Sequence, residues 1–97
     1  MTELSPWQVQ LLLAVPVVRP HDRLPILTTR LETDPAADSA TAQIIGVPGR
    51  YRIAAVLHVT AADATAAAAT ARRILQQSCA AARLPTGELI SISVQPR

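Results

Sequence analysis

The sequence predicts an α+β domain of β-α-β-β-α-β order, with a four-stranded antiparallel sheet carrying two helices on one face. Three observations predict it. Residues 7–15 (WQVQLLLAV) and 51–60 (YRIAAVLHVT) alternate with the period of two that marks a strand with one buried face. Residues 61–83 are a long Ala-rich run with helix-starting residues before it and Pro85 after it. The closing run ELISISVQ then returns to alternation.

In the first strand Val9, Leu11, Leu13 and Val15 share one face, and Gln8, Gln10, Leu12 and Ala14 the other; Pro16 and Pro20 bracket its exit. The segment from Asp22 to Gly46 has two readings. In the preferred one Asp22 caps a helix running to about Thr33, Pro25 sits in its first turn, and Leu24, Leu27 and Leu31 share a face. DPAADS is then a loop and ATAQIIGV the second strand. In the other, PILTTRLET is a strand and a helix runs from Asp34-Pro35 to Gly46, with good capping residues at both ends. The turn VPGR favours the first, because it joins two strand-like runs as a hairpin centred on Pro48 and Gly49.

The third strand puts Tyr51, Ile53, Ala55, Leu57 and Val59 on one face and Arg52, Ala54, Val56 and His58 on the other. Thr60 is the expected N-cap of the long helix, with Asp63 completing a capping-box-like pair, and the helix must stop near Leu84. Its stripe of Ala71, Leu75, Cys79 and Ala82 faces the sheet, while Thr65, Ala69, Arg72, Gln76 and Arg83 face solvent. In the last strand Ile90, Ile92 and Val94 point inward and Ser91, Ser93 and Gln95 outward.

This order is the split-βαβ arrangement called ferredoxin-like. Its rhythm of helix, short acidic-Pro loop, hairpin, Thr-Ala-Ala-Asp helix start and closing strand resembles small Ala- and Arg-rich ferredoxin-like proteins of high-GC bacteria and their mobile elements. That resemblance implies no activity. The 97 residues make a single domain, 1–97, with an aliphatic core, since Phe is absent and Trp7 and Tyr51 are single. All nine cations are arginine, scattered along a chain of net charge +2, which is a weak signal for nucleic acid. MTELSPWQ has no basic residue before the first apolar run and does not read as a signal peptide, and that run is far shorter than the ~20 residues of a membrane helix. A cytoplasmic protein with no membrane association is the expectation.

Catalytic patterns are faint. RPHDR (19–23), after the first strand, could form a small anion-binding mouth. The likeness to acylphosphatase-like enzymes fails, because those pair an arginine with an asparagine and this chain has none. One cysteine and two distant histidines make no metal site, and no residue set points to a cofactor. Cys79 reads as a buried core thiol with a raised pKa. RNA binding on this fold stacks bases on aromatics of the central strands, and the outward positions here carry none. Arg50, Arg52, Arg72 and Arg73 are the candidates for contact with phosphate or another anion.

What remains is the sheet face away from the helices, where Leu12, Ala14, Ala54 and Val56 are edged by Gln8, Gln10, Arg52 and His58. An apolar centre with a polar rim is the composition of an interaction surface. The expected function is a non-catalytic protein-interaction or assembly module. It would use Leu12, Ala14, Ala54, Val56 and His58 to form a homodimer or bind another protein. A nucleic-acid-binding protein is the second reading, and a small enzyme using the RPHDR loop ranks last.

Overall fold

The computed structural model describes residues 3–97; Met1 and Thr2, which begin the segment examined for a leader, lie outside the described residues. Strands β1 (Ser5–Ala14), β2 (Ser39–Ile45), β3 (Arg52–Ala61) and β4 (Leu89–Pro96) form one antiparallel sheet in the order β2-β3-β1-β4. Helices α1 (Leu24–Thr33) and α2 (Ala64–Ala81) pack on one face. This is the ferredoxin-like order that the alternation predicts.

The sheet-side core comes from period-two positions, Val9, Leu11 and Leu13 of β1 and Val15 just after it, with Ile53, Leu57 and Val59 of β3. The helices add Leu27 and Leu31 from α1 and Ala67, Ala71, Ile74, Leu75 and Cys79 from α2. No aromatic ring is fully buried among them. Each buried Leu, Ile or Val contributes roughly 1.5–3 kcal/mol, while Ala67 and Ala71 act mainly by letting α2 lie close to the sheet. Trp7 is half-buried beside this core and donates its indole N–H to the Ala61 carbonyl at 3.2 Å.

The segment from Asp22 to Gly46 follows the helix-then-strand reading, because the VPGR turn closes a hairpin. Arg50 N–H donates to the Val47 carbonyl at 2.8 Å, and Gly49 at φ 86° takes the left-handed third position of the turn. Asp22, however, does not cap α1. A 3₁₀ turn, Pro20–Arg23, precedes the helix, and Arg23 becomes an N-cap without a side-chain bond. Leu27 and Leu31 are fully buried and Leu24 partly so.

Asp63, not Thr60, caps α2. Its carboxylate accepts from Ala66 N–H at 2.7 Å, while the Thr60 hydroxyl donates to Asp38 Oδ2 at 2.9 Å. The ladder carries β3 through Ala61, opposite Ser5, so the chain is still extended at Thr60 and cannot begin a helix there. The expected inward position of Ile90 is also corrected. The β1–β4 register shifts between Leu12 and Leu13, so Leu89 pairs with Leu13 and packs on the core, and Ile90 is left 41% exposed.

Helix α2 ends at Ala81 in a Schellman motif. Leu84 N–H donates to the Cys79 carbonyl at 2.9 Å and Arg83 N–H to the Ala80 carbonyl at 3.1 Å, with Leu84 buried. The residue between, Arg83, is held at φ 54°, a conformation that suits glycine better than a residue with a Cβ. Arg83→Gly is expected to raise stability by about 0.5–1 kcal/mol, read as a higher urea midpoint at unchanged slope. A lower midpoint would show that the arginine side chain has a stabilising role there.

Candidate functional site: the open sheet face

Among the described residues, no helix covers the second face of the sheet. Cross-strand register assembles it: Leu12 stands opposite Ala54, Gln10 opposite Val56, Ala14 opposite Arg52 and Gln8 opposite His58. Sequence reading placed these on one face, and the structure brings Leu12, Ala14, Ala54, Val56 and His58 together on adjacent central strands. All five are half-buried by their neighbours and open to solvent above. Register adds a β2 flank that sequence reading did not assign to this face and places the outward serines of β4 beside it. Strand β2 contributes Ser39, Thr41 and Gln43 opposite His58, Val56 and Ala54, and β4 sets Ser91 and Ser93 opposite Leu12 and Gln10. A shallow depression of about 200 Å³ lies over Gln10, Leu12, Ala54, Val56, Ser91 and Ser93.

The charge content of this face is distinctive. Among the described residues, Arg52 is the only charged side chain that the four strands put there, at the end of the sheet. An open sheet face of a monomer is ordinarily studded with charge, whereas charged residues are depleted in interface cores.

His58 is held by two partners. Its Nε2 lies 3.1 Å from Gln8 Oε1 and its Nδ1 lies 2.7 Å from Ser39 Oγ. With the amide placed this way, Gln8 Oε1 accepts, so Nε2 carries a proton, and the Ser39 hydroxyl meets Nδ1. Both ring nitrogens thus have a partner, in a chain of three side chains from three strands. Ser39 falls in the DPAADS loop of the sequence reading, whereas the alternation Ser39-Ala40-Thr41-Ala42-Gln43 is the signal that marks it as strand.

The four arginine candidates divide between the two layers. Arg50 lies in the hairpin loop and Arg52 on the open face, whereas Arg72 and Arg73 lie on α2, across the sheet. Arg72 borders a crevice of about 10 Å³ with Leu11, Leu13, Leu75, Gln76 and Leu89, and Arg73 is 3.5 Å from Gln77 Oε1. They do not form one basic patch. In the RPHDR segment His21 is exposed and meets the Tyr51 ring edge-on, centroids 5.1 Å apart. No group of three or more His, Cys, Asp or Glu side chains comes together among the described residues.

Cys79 is buried on the sheet-facing stripe of α2, and desolvation pushes its thiol up from 9.0 to about 11. At neutral pH it stays protonated in the folded and the unfolded chain, so it adds no pH dependence there. Because the folded value is the higher, the stability it contributes is present below about pH 9 and declines as pH rises toward 11. Labelling by a thiol reagent at pH 8 is expected to proceed only at the rate of unfolding; fast labelling of the native protein would contradict this burial.

No helix among the described residues is long and apolar enough to cross a membrane. No protein-family model and no curated protein sequence matches the chain. Solved structures do resemble it. A candidate antibiotic biosynthesis monooxygenase from Chloroflexus aurantiacus aligns over 96% of this chain and 93% of its own, with a TM-score of 0.62 and 13% identity. The de novo designed protein Foldit4 aligns over 95% of this chain and 98% of its own, with a TM-score of 0.51 and 12% identity. At such identities the likeness shows the ferredoxin-like fold and carries no activity with it.

Proposed function

We propose that the protein is a non-catalytic assembly module that forms a homodimer through its open sheet face. The observation that supports this reading is the uncovered face itself, apolar at its centre and mostly polar around it, where among the described residues Arg52 is the single charged side chain that the strands supply and the Asp38 carboxylate reaches the rim at Thr60. Four strands about 4.8 Å apart and some eight residues long present roughly 500 Å² of projected area, so two faces bury roughly 1,000 Å² in total. That is the lower bound for a stable complex. Small residues at the centre suit the ~10 Å separation of packed sheets.

A second copy is the proposed occupant, because a surface of so little charge neither selects an unlike charged partner nor repels its own copy about a two-fold axis. The oxygenase description attached to the Chloroflexus aurantiacus neighbour suggests a different use of this fold. The crevice between α2 and strands β1 and β4, about 10 Å³, offers no room for a substrate there.

Size-exclusion chromatography with light scattering tests the reading. The expected mass is twice 10.3 kDa. A mass of 10.3 kDa across the concentration range would overturn dimerisation.

A further inference from the structure

At the end of the sheet three segments converge: the chain leaving β1 (residues 14–18), the β2–β3 turn (residues 47–52) and Gly87 ahead of β4. Two neighbouring recesses open there. One, of about 390 Å³, is lined by Val15, Pro16, Val17, Val18, Pro48 and Gly49, without a charged side chain. The other, of about 350 Å³, shares Val15, Pro16 and Gly49 and adds Arg50 and Arg52 at its border. Both volumes fall within the range of small-molecule sites.

The walls are held in place by backbone bonds between the segments and within the turn. Val15 N–H donates to the Tyr51 carbonyl at 3.0 Å, Gly87 N–H to the Ala14 carbonyl at 2.8 Å, and Arg50 N–H to the Val47 carbonyl at 2.8 Å. Pro16 and Pro48 restrict the backbone further, so little ordering is required when a ligand arrives. Val18 is 82% exposed and Val47 60% exposed at this end, an apolar concentration that the fold itself does not use.

We infer that this end of the sheet binds a small amphipathic anion, an apolar monocarboxylate whose hydrocarbon body lies along Val15–Val18 and Pro48 and whose carboxylate meets Arg50 and Arg52. The guanidiniums supply charge-assisted hydrogen bonds and the proline-valine wall supplies burial, two chemistries that this ligand class combines. A phosphate ion engages the arginines and leaves the apolar wall bare; an alcohol of the same chain length does the reverse. The site lies beyond the Leu12–Ala54–Val56 patch and does not rest on self-association.

Titration of butanoate, hexanoate and octanoate into the full-length protein, followed by calorimetry and backbone amide shifts, tests it. Affinity is expected to rise about three- to fourfold for each added methylene. Shifts are expected at Val15, Val17, Gly49, Arg50 and Gly87, and 1-octanol and inorganic phosphate should each bind at least about tenfold more weakly than octanoate. The double variant Arg50→Gln/Arg52→Gln, altered at two exposed positions, should lose about tenfold for octanoate and little for octanol. Octanol binding as tightly as octanoate, affinity independent of chain length, or shifts confined to other residues would each overturn the assignment.

Discussion

Val56→Glu is expected to convert the proposed dimer into a folded monomer of 10.3 kDa. Val56 lies on central strand β3, opposite Gln10 of β1 and Thr41 of β2, on the face without helices. In a two-fold dimer the substitution places a carboxylate from each protomer into a patch where the described strands offer no cation nearer than the end-of-sheet Arg52. Burying an unpaired charge costs several kcal/mol, comparable to the whole net gain of an interface near the lower size limit. The dissociation constant should therefore rise at least about 100-fold.

The monomer should survive, because the side chain at 56 points away from the core that Ala55 and Leu57 build, and a valine-to-glutamate change on a strand costs about 1 kcal/mol. Light scattering gives the mass and a thermal melt gives the fold. Thr65→Glu, on the exposed side of α2, is the control that should leave the mass alone. An undiminished dimer of Val56→Glu with a cooperative melt would sink the proposed interface.

Gly46→Ala should be the most damaging single-methyl change in the hairpin. Gly46 sits at φ 100°, and an added Cβ would collide with the carbonyl oxygen of Arg50, which is backbone and not free to swing aside. Strain of both kinds adds to about 3 kcal/mol, or a fall of some 12–20 °C in Tm for a domain of this size. Gly49→Ala separates the two causes. It is also at positive φ, 86°, but an added Cβ there meets nothing within 4 Å, so about 1 kcal/mol is expected. Parallel urea melts of the two variants give the comparison; equal losses would mean that the hairpin shifts to relieve the collision.

The hairpin also shows how far local chemistry carries. VPGR joins two strand-like runs, which favoured the helix-then-strand reading of residues 22–46 that the structure shows. The N-terminus of α2 shows where local chemistry stops. Thr60 and Asp63 are both acceptable caps three residues apart, and the choice falls on Asp63 because β3 extends to Ala61 and Asp38 engages the Thr60 hydroxyl. The same holds for Ile90, whose alternation pointed inward until a bulge against β1 displaced it.

By itself, then, the sequence determined the elements outside residues 22–46, the face of each residue in β1 and β3, the sheet-facing stripe of α2 and the burial of Cys79. Each of these depends on a spacing of two to four residues or on a turn's own stereochemistry, quantities written within a short window. Tertiary structure alone decided the Gln8–His58–Ser39 chain, the division of the arginines between two layers and the recesses at the sheet end. Those join residues as far apart as Gln8 and His58, or Val15 and Gly49, and their meeting depends on strand register and layer order. Alternation says which side of a strand a residue takes; only pairing across the sheet says which distant residue it finds there.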